Sequence, residues 1–335
     1  MSIETLRPFL AEGYENFPKG RTIGAVVLRT TQSETIFRTE GAGEPMCSEY
    51  VQAGVTQTNA IPRLVMTKRK QVAPERRKGR EFLRAHDLLY RADSKEKPIC
   101  ALNTNAPCEM CIDCFLYGFA AGGGGAQKSR VWTEDAFSVL SATELVGDRT
   151  INAIYETGTM RDENDKASTA LNTSEYIKPG SHFLDVVTFR DVTAEELQYA
   201  LGNILLTTRY GAVSSRVGRM ENRVLGVFGG IAELPSSLEL VQAVYDRLSE
   251  AQSGEELEHP LQTEAVVAAT KAAIAPWIQK RGISVQLDDK ALEGLIAEVD
   301  SCLEPEKQAD FLKRLNETYE PMRKVKATGK KSKGK

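Results

Sequence analysis

Four cysteines fall within fifteen residues of this 335-residue chain: Cys100, Cys108, Cys111 and Cys114, the last three spaced C-x-x-C-x-x-C. Only Cys47 and Cys302 lie elsewhere. No other feature restricts the backbone so tightly. Four thiolates at this loop-and-turn spacing can surround one tetrahedral Zn²⁺ with no position left open, which predicts a closed structural site. His86 is the main substitute ligand should Cys100 point elsewhere, and Cys47 a lesser one. The run that follows, Phe115-Leu-Tyr-Gly-Phe-Ala-Ala-Gly-Gly-Gly-Gly, puts the site just before a segment that must bend or approach something closely. Cys302 lies among Leu295, Ile296 and Val299 and reads as core.

A chain of this length can bury a large core, and 41% hydrophobic with 27% charged residues is ordinary for a soluble globular protein. No apolar run is long enough to span a bilayer, and the N-terminus lacks a basic-then-apolar signal. The expectation is a cytoplasmic protein with reduced thiols and no membrane partner. Clustered cysteines in that setting favour a metal over disulfides.

The net charge of −3 hides a segregation. Arg63 to Arg91 holds ten Lys/Arg and three acids, a local +7. Ile231 to Asp310 holds sixteen acids and six bases, a local −10, and the last 25 residues return to +7. A single charge run is usually solvated surface, but three segregated blocks suit a protein that holds a polyanion on one face. Lys68, Arg69, Lys70, Arg76, Arg77 and Lys78 form the strongest electrostatic candidate, with Lys128 and Arg130 secondary.

Thr22-Ile-Gly-Ala-Val-Val-Leu-Arg predicts a buried first strand. Pro74 and Gly79 argue against one continuous helix through the basic segment and leave a short helix over 81–89. His182 opens a β-branched and aromatic strand and reads as a structural histidine. Thr193 and Glu196 form a capping box, followed by Leu197, Leu201, Ile204 and Leu205 on one face, with Gly211 as the stop. Beyond Ile231 the pattern turns helical, over 262–280, 289–300 and 306–320, with a break near Pro276. The order of elements is compatible with an α+β protein built on an elaborated ferredoxin-like, RRM-like β-α-β-β-α-β core.

Three motifs in this order resemble a known superfamily. Cys108-x-x-Cys-x-x-Cys-Phe-Leu-Tyr-Gly is similar to the cysteine-then-Leu-Phe-Gly helix start in repeat-associated RNA-binding (RAMP) proteins. Ile154-Tyr-Glu-Thr-Gly-Thr-Met, a polar insert and Tyr176-Ile-Lys-Pro-Gly-Ser-His-Phe resemble the hairpin thumb of CRISPR backbone subunits. Tyr210-Gly-Ala-Val-Ser-Ser-Arg-Val-Gly-Arg resembles their glycine-rich loop. The best match is the backbone family of the type I-D CRISPR Cascade complex.

That resemblance implies a crRNA-binding subunit, polymerising head-to-tail with copies of itself along one CRISPR RNA beside other Cascade subunits. The guide would be displayed for a target DNA or RNA strand. It implies a palm over 1–230, a basic and zinc-binding insert over 61–129, a thumb over 157–175, a helical lobe over 231–322 and a disordered basic tail over 323–335. A guide carrier must accept any spacer, so phosphates and sugars are read and base edges are not. In the loop, Arg216 and then Arg219 are implied phosphate contacts, with Arg209, Ser214 and Ser215 beside them and Gly211 and Gly218 permitting close approach. In the thumb, Met160 either wedges against a base or packs on its own hairpin, and Arg161 and Lys166 could hold phosphates. The alternative is a metal-dependent nuclease cutting the target strand at intervals, through Glu40, Glu44, Glu49, Asp162, Glu163 or Asp165, although no spacing among them marks a metal site.

Overall fold

The computed structural model describes residues 2–14, 17–37, 46–90, 99–101, 106–121, 125–151, 154–155, 158–159, 161, 166, 172–211, 217–252, 256–280 and 282–323. A 3₁₀ helix (Ser2–Phe9) precedes β1 (Thr22–Thr31), β2 (Ser48–Gln52), β3 (Ala60–Met66), α1 (Lys68–Ala85), α2 (Ile112–Tyr117), β4 (Phe119–Ala121) and β5 (Gly125–Gln127). Next come β6 (Val131–Thr133), β7 (Ala136–Ser141), α3 (Ala142–Leu145), β8 (Val146–Ile151), β9 (Ile154–Tyr155), β10 (Gly158–Thr159) and β11 (Asn172–Ile177). β12 (His182–Arg190), α4 (Ala194–Leu206), β13 (Arg209–Tyr210) and β14 (Gly218–Gly230) follow. The chain closes with α5 (Ser237–Ala251), α6 (Thr263–Lys280), β15 (Ile283–Gln286), α7 (Asp289–Leu303) and α8 (Pro305–Glu317).

An antiparallel sheet in the order β13-β14-β1-β12-β7-β3-β2 organises the molecule, so the fold is mixed α+β as the sequence predicts. All ten residues of β1 are buried, because β12 and β14 flank it and helices cover both faces. Ile23 and Val27 point into a core shared with α1, α2, α4, α7 and α8. Val26 and Leu28 point the other way, into a core shared with α5 and α6. The helices after Ile231 therefore divide between the two sides of the sheet. This two-sided burial explains why β1 reads as a nearly continuous apolar run and not as an alternation.

Helix α1 corrects one expectation: it runs unbroken through Pro74 and Gly79. Gln71, Pro74, Glu75, Gly79 and Leu83 form one buried stripe at helical spacing, and tertiary packing outweighs the ~3 kcal/mol that an interior proline costs. Gly79 is where α1 crosses α4; a Cβ there would overlap the Tyr199 hydroxyl and the Asn203 amide. The expected helix over 81–89 is the end of this same helix, which stops at Ala85. In α4 the Thr193/Glu196 capping box is present, but the helix stops at Leu206, before Gly211. Helix α6 likewise continues through Pro276.

Candidate metal centre and basic surface

The four clustered cysteines are buried, and their sulfurs all lie within 4.8 Å of one another. Cys100 Sγ is 3.6 Å from Cys114 Sγ, and Cys108 Sγ is 4.0 Å from Cys114 Sγ. A tetrahedral ion with Zn–S bonds near 2.3 Å requires S···S separations of about 3.8 Å, so the donor set fits such an ion. Backbone N–H groups of Cys108, Cys111 and Cys114 donate to the sulfurs of Cys100, Cys108 and Cys111 at 3.2, 3.3 and 3.4 Å. Hydrogen bonds from the other three thiols hold Cys100 well below the usual thiol range, and the converse interaction pushes Cys114 above it. Cys108 is likewise held low and Cys111 pushed well up, so the cluster shares its charge unevenly. His86 is not part of this donor set, and its Nε2 lies 3.0 Å from Gln308 Oε1. Cys302 packs against the core, as its neighbours predict.

Asp113, fully buried between Cys111 and Cys114, ties this centre to α1. Arg76 donates from Nε to Asp113 Oδ1 and from Nη2 to Oδ2, both at 2.9 Å, and to the Gly118 carbonyl at 3.0 Å. Arg80 Nη1 donates to Asp113 Oδ2 at 3.0 Å and lies 3.5 Å from Cys100 Sγ. Two of the basic residues of α1 thus face inward and hold the cysteine-bearing segment.

The same helix sends Glu75 into a second buried cluster. Arg29 from β1 contacts Glu75 at 2.9 Å and Asp185 of β12 at 2.7 Å, and both pairs are essentially without solvent. Arg29 Nη1 also donates to Tyr210 Oη at 3.1 Å and to Asn222 Oδ1 at 3.0 Å. Burial alone would lower Arg29, but Glu75, Tyr210 and Asp185 together hold it above the usual arginine range. Burial pushes Glu75 and Asp185 up, against the pull of Arg29. The clue available in the sequence was a lone base in one apolar strand and a lone acid in another.

This cluster underlies the hairpin formed by β13 and β14. Arg209 and Arg219 are exposed and stand directly opposite each other in the two-residue ladder. Arg209 donates to the Val217 carbonyl at 3.1 Å, whereas the Arg219 side chain has no partner among the described residues. Gly211, with φ +113°, lies against the Ile36 carbonyl, where a Cβ would collide; its close approach is to its own chain. Ser214, Ser215 and Arg216 lie outside the described residues, as does Met160.

The remaining candidates are spread out. Lys68, Arg69 and Arg77 are exposed on α1, which abuts β13, and Lys70 is half-buried. Lys78 pairs with Glu81 at 3.1 Å. Lys128 is exposed. Arg130, by contrast, is buried, donates to Glu196 Oε2 at 2.7 Å and packs over the Tyr14 ring. Arg161 and Lys166 are exposed beyond the ribbon that β8 forms with β11. Arg149 of β8 pairs with Glu34 at 2.5 Å on the surface, and Thr35 bridges to Ile177 of β11 through backbone hydrogen bonds. Glu49 is exposed on β2; Glu40, Glu44, Asp162, Glu163 and Asp165 lie outside the described residues. Among the described residues, the cysteines are the only group of three or more His, Cys, Asp or Glu positioned to share a metal.

An antiparallel sheet carrying a four-cysteine centre and a basic helix defines the class to which comparison can be made. The crystal structure of Thermofilum pendens Csc2 has the same fold, with a TM-score of 0.57 at 19% identity, over 96% of this chain and 98% of that one. A structure described as a CRISPR RNA-guided surveillance complex, pre-nicking, aligns with a TM-score of 0.49 at 10% identity, over 84% of this chain and 99% of that one. No curated protein matches the chain. The profile of the family described as Csc2 Crispr matches residues 9–312, and the chain belongs to that family.

Proposed function

We propose that this chain is the crRNA-binding backbone subunit of a type I-D CRISPR Cascade effector complex. It polymerises head-to-tail along the guide and presents it to a target strand, beside the other Cascade subunits in the cytoplasm. No described helix is long and apolar enough to cross a membrane. Family membership supports a CRISPR role, and the observation that carries the RNA-binding reading is the facing Arg209–Arg219 pair beside the exposed bases of α1. Like charges directly opposed across a ladder repel, and a bridging phosphate relieves that repulsion.

In this reading the palm is ferredoxin-like. Its support is the order β14-β1-β12-β7, with α1 between β1 and β7 in sequence and α4 between β12 and β14. Residues 1–230 are the palm, 61–129 its clasped basic insert, 157–175 the thumb and 231–322 the helical lobe. Zn²⁺ is the ion that four sulfur donors in a closed site suit, and its role is structural. The RNA-facing set is Lys68, Arg69, Arg77, Lys128, Arg161, Lys166, Arg209 and Arg219 with the loop Ser214–Arg216, while Arg76 and Arg130 hold the fold together.

The test is binding of the purified chain to single-stranded RNA of arbitrary sequence across a salt titration. Arg209→Ala/Arg219→Ala should reduce the salt slope by about 1.4, since each lost phosphate contact on a single strand is worth about 0.7. Salt-independent binding, or an unchanged slope in the variant, overturns the reading. The nuclease alternative is tested by offering assembled complex complementary strands with Mg²⁺ and looking for regularly spaced cuts.

A further inference from the structure

Tyr210 ends β13, immediately before Gly211 and the loop. Its hydroxyl is buried and uses its full capacity: it donates to Glu75 Oε1 at 3.0 Å and accepts from Arg29 Nη1 at 3.1 Å and Asn222 Nδ2 at 2.8 Å. Those partners come from α1, β1 and β14. Asn222 Nδ2 also lies 2.8 Å from the Ile204 carbonyl and 2.9 Å from the Thr207 carbonyl, which fixes the exit of α4. One oxygen therefore joins four elements at the root of the hairpin.

β14 is fixed by its pairing with β1, and the Arg219 N–H donates to Ser33 Oγ at 2.8 Å, so it is β13, carrying Arg209, that has little else to hold it. Its ladder is two residues long, and one of its two rungs sets Arg209 against Arg219. A short edge ladder with opposed like charges does not hold its own geometry in water. Glu75, meanwhile, shares α1 with the exposed Lys68, Arg69 and Arg77. The Glu75–Tyr210 hydrogen bond is thus the link that fixes the hairpin arginines relative to the basic face of the helix.

We propose that Tyr210, held by Glu75, is a positioning residue for RNA binding: it touches no RNA and presets Arg209 and Arg219 in register with α1. The inference rests on the RNA-binding reading above. Presetting matters because contacts whose ordering cost is met before the ligand arrives give more affinity. Charge balance makes Glu75 separable from this role. Arg29 faces two carboxylates, so it keeps a counter-ion in Asp185 when Glu75 is neutralised.

The experiment is a double-mutant cycle on single-stranded RNA affinity in the full chain. Tyr210→Phe should weaken binding about five- to tenfold, the range of one net hydrogen bond. In the Arg209→Ala/Arg219→Ala background the same change should matter less than about twofold, because coupled positions are not additive. Glu75→Gln keeps an acceptor for Tyr210 and should stay within about twofold of wild type, whereas Glu75→Ala should reproduce the Tyr210→Phe loss. Hydrogen exchange should show faster exchange at Met220, whose N–H donates to the Thr208 carbonyl, in Tyr210→Phe while β1 stays protected.

Full-strength binding by Tyr210→Phe, multiplicative effects in the cycle, or a Glu75→Gln defect equal to that of Glu75→Ala each overturn the positioning role alone. An Arg209→Ala/Arg219→Ala protein that binds RNA like wild type overturns the RNA-binding reading and this role with it.

Discussion

Asp113 receives the Arg76 guanidinium as a two-point fork, Nε to Oδ1 and Nη2 to Oδ2, each at 2.9 Å, from a position between two cysteines of the buried four-cysteine cluster. The basic helix and the cysteine segment are thereby one mechanical unit. Asp113 is fully buried and Arg76 nearly so. Asp113→Ala leaves Arg76 and Arg80 without their carboxylate, and removing one partner of a buried pair costs about 3–5 kcal/mol. Urea unfolding should show a loss of that order, and a loss below about 1 kcal/mol would show that the fork contributes little.

The metal centre makes a compositional prediction. Fresh, reduced protein should carry about one zinc per chain, the stoichiometry of a closed four-sulfur site. Arg80 contacts Cys100 Sγ and is oriented by Asp113, so Arg80→Ala should lower zinc affinity about 10- to 100-fold, as loss of an outer partner typically does. Competition against a chromophoric chelator measures this directly. Well under one zinc per chain in wild type refutes the site.

Arg130 and Lys128 are two residues apart and should behave as opposites. Arg130 is buried on Glu196, which also accepts from the Tyr319 hydroxyl. Arg130→Ala should cost about 3–5 kcal/mol of stability, by the same argument of a stranded charge. Lys128→Ala should leave thermal unfolding within about 0.5 kcal/mol of wild type, as exposed substitutions do. Equal stability losses in the two variants would contradict the burial assignment.

His182 carries a pH prediction. Burial first, and then the nearby charge of His259, lower its pKa from 6.5 to about 4. The folded state therefore binds fewer protons than the unfolded state between those values. Its contribution is full above pH 6.5 and falls as pH drops towards 4, by at most about 3 kcal/mol. His182→Gln should flatten that slope relative to wild type in urea titrations at pH 7.5, 5.5 and 4.5. Parallel slopes would remove His182 as the cause.

What the sequence revealed follows a physical division. The clustering of the four cysteines was legible because four like side chains at fixed spacing are local. The capping box of α4 and the buried strand β1 were legible for the same reason. Helix α1 was misread because its continuity depends on α4: Gly79 weakens an isolated helix, yet here it allows the close crossing at Tyr199 and Asn203. The inward pairing of Arg76 and Arg130 was not legible because composition counts charges and cannot see which way they face. Their partners, Asp113 and Glu196, lie 37 and 66 residues away. Glu75, Tyr210 and Asp185 meet around Arg29 only when three distant strands and a helix come together, and no local pattern announces that.

The wholly buried strand β1 has a consequence for how the chain is made. Thr22 pairs with Arg190 on one side and with Gly230 on the other. This apolar strand must wait until β12 and β14, far behind it in the chain, have left the ribosome before either neighbour exists. Contacts of such sequence separation make folding slow and leave the waiting strand open to aggregation. The timing of translation, as much as the final fold, thus limits how readily this protein matures.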